Sequence, residues 1–174
     1  MELKFEAKLS FAGIILTLCS NLLVFGVSYI GLFRPDLLEG IVQLPEIIKY
    51  LIILILVVAF VSAYLLHPVK YIINGSFIAI KKPFHVIKIP FSSIVKIKKT
   101  TYNGLRIRSG LFASVGIWGY FGQFHSTRYG KVKMNVSNLK TLVFIATKNG
   151  KIIIISPENS STFVEKVDDK LVRF

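Results

Sequence analysis

The sequence predicts a membrane-anchored chain in two parts: an N-terminal transmembrane α-hairpin, then a mainly-β barrel or sandwich closed by a C-terminal helix. Three observations predict it. The hydrophobic set is 53% of 174 residues and the 12 glycines add about 7%, together well above the roughly 45–50% of soluble domains. That excess is stored in two apolar stretches before residue 67. After Pro68 the text changes to short β-branched and aromatic runs separated by turn residues. A chain of this length has room for one domain plus an anchor, which excludes a long multi-domain enzyme.

The first stretch, Leu9 to Phe33, holds 25 residues without a charge. As a helix it is roughly 37 Å long, enough to cross a hydrocarbon core of about 30 Å with some tilt. The second, Ile47 to Leu66, carries one charge, Lys49, near enough to its end for the stem to bring the ammonium into the headgroups. Pro68 then stops the helix and restricts His67 before it. Residues 1–67 are thus read as the anchor and 68–174 as the domain. A cleaved signal peptide fits poorly, because the first run exceeds a signal core and no small-x-small site closes it. Cys19 has Leu18 where lipoprotein processing wants a small residue, so it reads as a thiol in a membrane helix. A lone cysteine also excludes a disulfide framework and a multi-cysteine zinc site.

Charge orients the pair. Residues 1–67 carry four basic and five acidic side chains, net −1, while the rest carries 18 basic and 4 acidic, net +14, which together give the chain's +13. The connector from Arg34 to Glu46 is acidic on balance, and the segment from Lys70 to Lys99 is basic. Since short Lys- and Arg-rich loops stay cytoplasmic, both termini are expected in the cytoplasm.

Eight short strands are expected after Pro68: Tyr71–Ile73, Phe77–Ile80, His85–Ile89, Ile94–Lys99, Leu105–Arg108, Lys131–Val136, Thr141–Ala146 and Lys151–Ser156. Asn74-Gly75 reads as a type I′ hairpin turn, and Asn149-Gly150 as a second hairpin. A strand run with no helix inside it points to an antiparallel sandwich or small barrel. The C-terminal helix starts either at Ser156-Pro157 or one turn later at a Thr162/Glu165 capping box. Phe163, Val167 and Leu171 give it one apolar stripe.

The residues Leu105-Arg106, the run Gly116-Ile117-Trp118-Gly119-Tyr120-Phe121-Gly122 with Phe124, then Gly130, and Ile155-Ser156-Pro157 leading to Phe163 carry a resemblance. Over about residues 70–170 the chain resembles bacterial pleckstrin-homology (PH-like) domains that follow two transmembrane helices. The resemblance implies the PH-like fold and an address in the bacterial inner membrane. It implies no ligand. Phosphoinositide-reading relatives place basic residues around the first hairpin loop, which here is the uncharged Asn74-Gly75-Ser76.

Three sets of residues are candidates for binding. The segment from Ser109 to Gly130 reads as a long glycine-spaced loop carrying Phe112, Trp118, Tyr120, Phe121 and Phe124. Either it dips into the membrane interface or onto a partner, or its aromatics complete the core. Lys96 with Lys98, Arg106 with Arg108, and Lys131 with Lys133 repeat at two-residue spacing, so neighbouring strands would give one cationic face, with Val95, Ile97, Ile107, Val132 and Met134 pointing the other way. Such a face suits an anionic leaflet, or is simply solvated. Asn21 lies near the middle of the first span, where its amide pairs with another copy, with a partner's helix, or with its own helix.

Catalysis finds no support. His67, His85 and His125 fall on different elements, and Glu158, Glu165, Asp168 and Asp169 gather at the terminal helix, so no nucleophile, base and orienting group assemble. No cofactor or metal site is expected, and no nucleic-acid motif accompanies the charge. The function expected is a non-enzymatic adaptor binding a protein partner, a second copy or anionic lipid headgroups. The alternative is an accessory subunit of a larger membrane enzyme or transporter.

Overall fold

The computed structural model describes residues 2–34 and 45–171, apart from the side chains of residues 109, 111 and 112. The acidic connector therefore lies, but for its ends, outside the described residues. Two helices, α1 (Phe11–Phe33) and α2 (Glu46–Leu66), are long and apolar enough to cross a membrane. Ser10 caps α1 by accepting from the Gly13 N–H at 3.1 Å. Pro45 precedes α2, and His67, extended before Pro68, ends it. Their apolar surface faces outward nearly all round, as with Leu22, Phe25, Ile47 and Ile55, so these helices need a lipid environment rather than a protein core.

The rest is a sandwich of two sheets with no closed barrel. One sheet is β1 (Leu3–Glu6), β2 (Lys70–Ile73), β3 (Phe77–Lys81) and β4 (Val86–Pro90), in that order. The other comprises β5 (Ile94–Lys99), β6 (Ile107–Gly116), β7 (Gly119–Ser126), β8 (Gly130–Val136), β9 (Val143–Thr147) and β10 (Ile152–Ile155), ordered β5-β9-β10-β8-β7-β6. A 3₁₀ turn at Phe91–Ser93 and a one-turn helix α3 (Tyr102–Leu105) interrupt the strands, and α4 (Ser160–Leu171) closes the chain. The sheets sandwich Tyr71, Ile78, Ile80, Ile97, Val143, Ile145 and Ile155 with Phe163 and Val167 of α4. A second core, built on Phe124, Val132, Met134, Phe144 and Ile154, covers the opposite face of the six-stranded sheet.

Four expectations are corrected. The sheet is not wholly antiparallel: β10 inserts between β8 and β9, so β8 and β10 run parallel, Ile152 beside Val132. The segment from Ser109 to Gly130 is not a loop but most of β6 and β7. A bulge between Leu111 and Ala113 interrupts β6, whereas β7 keeps an unbroken register with β8: Phe121, beside Asn135, and Phe124, beside Val132, lie on opposite faces and are both buried because both faces of the sheet are covered. The Asn74-Gly75 hairpin forms, but Asn74 N–H donates to the Phe77 carbonyl, so the turn residues are Gly75 and Ser76 and neither Asn74 nor Gly75 has positive φ. α4 starts at Ser160, with Asn159 Oδ1 accepting from Thr162 N–H, so neither expected start is used. Ser156 is instead a buried acceptor for the N–H groups of Ser137 and Asn138 and a partner of the Tyr71 hydroxyl.

The chain before α1 also belongs to the sandwich. β1 pairs antiparallel with β2, Phe5 beside Tyr71, and Phe5 meets Phe163 edge-on at 5.0 Å. Residues 3–6 and the β-domain hence lie on the same side of the two spans.

Candidate functional site

The β6–β7 hairpin turns at Ile117-Trp118 and its tip wedges against both spans. Glycine permits the approach: Gly116 sits at φ 94° with its α-carbon so close to α1 that an added Cβ would come 2.4 Å from Leu16 Cδ2. The Trp118 backbone N–H then donates to Thr17 Oγ1 at 3.1 Å, and Thr17 is 5% exposed. From the other side the indole meets α2, with ring centroids 5.1 Å from Tyr64 and 6.3 Å from Phe60, and 5.4 Å from His67 at the helix end. Trp118 adopts φ 58°, a left-handed conformation costing about 1–2 kcal/mol for a non-glycine residue. Aromatic contacts worth about 0.5–1.5 kcal/mol each offset it. Thr17 lies roughly 9 Å along α1 from its start, in the second turn of the helix.

Charge near the junction is set by desolvation. Burial holds the His67 imidazole below its usual pKa, the Tyr64 carbonyl accepting its Nδ1–H opposes this, and nearby Lys82 pushes it down further. Lys82 itself is 7% exposed, and burial together with the charge of Lys133 lowers it to about 8. Beside them, Phe84 in the β3–β4 turn is 82% exposed. Val69 N–H donates to the Lys81 carbonyl, which sets this turn close to the exit of α2.

The aromatic candidates divide by place. Trp118 touches the spans, Phe121 and Phe124 are buried in the domain, and Tyr120 is packed on the second core. Phe112 lies in β6, and its side chain is outside the described residues. The basic candidates are not brought together. β5, β6 and β8 are not neighbours, and directly paired residues share a face. Lys96 and Lys98 pair with Ala146 and Phe144, and Lys98 sits over the Phe144 ring at 5.4 Å. Lys133 pairs with Ile153, on the other face, and Lys131 shares that face with it. Arg106 ends α3 in a left-handed conformation (φ 48°), and Arg108 lies on the outermost strand, β6. A bulge between Ile94 and Lys96 turns Val95 outward, 64% exposed, against the expectation that it points inside. Asn21 donates to the Thr17 carbonyl at 2.8 Å, within its own helix. Among the described residues no group of His, Cys, Asp and Glu could hold a metal ion.

Thr17, Lys82 and Phe84 were not singled out by the sequence. A threonine inside an otherwise aliphatic span was the available signal for the first; nothing marked the others before the hairpin register placed them. A family model described as bacterial PH domain matches residues 69–171. No curated protein and no solved structure matches the chain.

Proposed function

The chain belongs to the bacterial PH domain family, and from that premise we propose that it is a membrane-anchored, non-enzymatic adaptor of the bacterial inner membrane. Its domain binds a protein partner, a second copy or an anionic surface on the cytoplasmic side, with both termini there. The observation that carries this reading is the Trp118 wedge. A hairpin bonded to Thr17 and stacked on Tyr64 and His67 fixes the domain against its spans, so what it binds is held at one height and orientation above the bilayer. Basic residues from Lys70 onward and the pairing of β1 with β2 support the orientation.

Affinity purification of the intact chain from its native membrane, with mass spectrometry of proteins and lipids, tests the proposal. An adaptor brings down a partner or enriched anionic lipid, and Trp118→Ala changes that yield while the domain stays folded. A stoichiometric larger enzyme or transporter would make the chain an accessory subunit, and measurable turnover of a substrate by the purified chain would end the adaptor reading. Phosphatase fused after Phe174 is expected to be inactive; activity would reverse the orientation.

A further inference from the structure

The first sheet has four strands and the second has six, so β4 ends the first sheet while β8 and β7 extend past it. An open groove of ≈ 740 Å³ results, lined by Lys88 of β4, Lys131 and Lys133 of β8, and Lys151 at the start of β10. Ser93, Gln123, Asn135, Thr147 and Asn149 add neutral polar groups, and among the described residues no carboxylate or arginine lines it. None of the four lysines forms an ion pair among the described residues. Lys88, however, paired with Ala79 on the outer face of the first sheet, holds its ammonium over the Phe77 ring at 5.1 Å, which leaves Lys131, Lys133 and Lys151 to face the groove. Asn135 is 1% exposed and its Nδ2 has no acceptor in the protein, a desolvated donor that a bound anion would satisfy.

The groove's position argues for a soluble occupant. Ser137 Oγ donates to the carbonyl of Pro68, at the exit of α2. Lys131 stands six residues back along β8, roughly 20 Å along the chain from that contact, with Lys151 just before Ile152, which pairs with Val132. A peptide strand is a poor occupant. The bonds Lys82 N–H to His85 O and Phe91 N–H to Ser76 O put the backbones of His85, Ile87 and Ile89 toward β3, leaving those of Val86, Lys88 and Pro90 on the outer edge, a short edge in which lysine and proline blunt strand addition. Lysine ammoniums act as point charges suited to phosphate, and the volume is that of a small-ligand site, about 300–1,000 Å³.

We propose that this groove binds a soluble anion carrying two or more phosphate groups, with Lys131, Lys133 and Lys151 as its charge partners and the Asn135 amide as a donor. The proposal rests on the binding-module reading above and names a ligand class for it. The test is calorimetric titration of the intact chain in zwitterionic nanodiscs with inorganic tripolyphosphate at about 0.15 M salt. Saturable binding is expected, about tenfold or more tighter than orthophosphate, weakened at least about tenfold by Lys131→Gln/Lys133→Gln and restored by Lys131→Arg/Lys133→Arg. Lys140→Gln, at an exposed lysine outside the groove, should leave affinity within about twofold. No saturable binding up to about 10 mM, or an equal loss in Lys140→Gln, overturns the site. Nanodiscs containing anionic lipid form the second arm: an apparent affinity for tripolyphosphate lowered about tenfold or more would assign the groove to headgroups and overturn the soluble source. Failed titrations alongside retained partner co-purification would sink this inference and leave the adaptor reading standing.

Discussion

The backbone N–H of Trp118 donates to Thr17 Oγ1 at 3.1 Å across 101 residues of sequence. This bond ties the tip of a β-hairpin to a membrane helix, a polar contact inside a largely apolar junction. A buried N–H left without a partner costs about 1–3 kcal/mol.

Thr17→Val, which keeps the shape and deletes the acceptor, should therefore loosen the hairpin by about 1–2 kcal/mol without unfolding either part. Trp118 is the sole tryptophan, so its emission reads the junction directly. A red shift in Thr17→Val with unchanged far-UV circular dichroism is expected. An unchanged spectrum would mean that ring contacts with Tyr64 and His67 hold the tip unaided.

Gly116 and Gly119 flank that tip and fail differently when a Cβ is added. At Gly116 the new atom meets the end of a flexible Leu16 side chain, whereas at Gly119 (φ 118°) it would lie 2.5 Å from the Val136 carbonyl oxygen. Backbone cannot step aside without breaking the β7–β8 ladder. Gly119→Ala should cost more than about 2 kcal/mol and resist rescue, while Leu16→Ala should recover part of the loss in Gly116→Ala. Thermal melts of the four variants in detergent decide it; equal rescue of both glycine variants would contradict this geometry.

How legible this was in the sequence follows from the range of each signal. α1 and α2 were readable to within two residues because a span needs little beyond length and uniform apolarity. β2, β3, β5 and the stripe of Phe163 and Val167 were readable from local period. β6 and β7 were not, because the bulge at Leu111/Ala113 interrupts β6, and because β7 buries aromatics on both faces, so Phe121 and Phe124 show no polar–apolar alternation. β1 was hidden by its length of four residues and by its partner lying across both spans. The basic face failed for a topological reason: two-residue spacing places Lys131 with Lys133 and Lys96 with Lys98, but which sheet face each pair occupies depends on register through β9 and β10.

Beyond its ladder with β2, the N-terminal segment is held by apolar and ionic contacts of very different worth. Phe5 packs on buried Phe163, while Lys8 and Glu158 form a 2.6 Å ion pair whose side chains are largely in water. Exposed pairs contribute about 0–1 kcal/mol, and truncating an aromatic at the edge of a core costs about 1–3 kcal/mol. Phe5→Ala should accordingly raise protease sensitivity of the first ten residues far more than Lys8→Ala, read by limited proteolysis of the intact chain. The reverse order would show that the strand is held by charge.

Lys82 gives the domain a pH dependence whose sign is fixed. Its folded-state pKa, lowered to about 8 by burial and Lys133, lies below the ordinary lysine value of 10.5. Between these two values the unfolded chain still carries a proton that the folded chain has released, so stability rises with pH across that window. Below it both states are protonated, and the folded state bears the full cost of a buried cation. Lys82→Met removes that cost, since the backbone N–H that bonds the His85 carbonyl is kept. It should raise stability at pH 7 by on the order of 1–3 kcal/mol and flatten the rise above pH 8. Melts of wild type and Lys82→Met from pH 7 to 10 compare the two directly, with the other lysines and tyrosines common to both. Parallel curves would mean that Lys82 keeps an ordinary pKa in the folded chain, open to water or already neutralised by a bound anion.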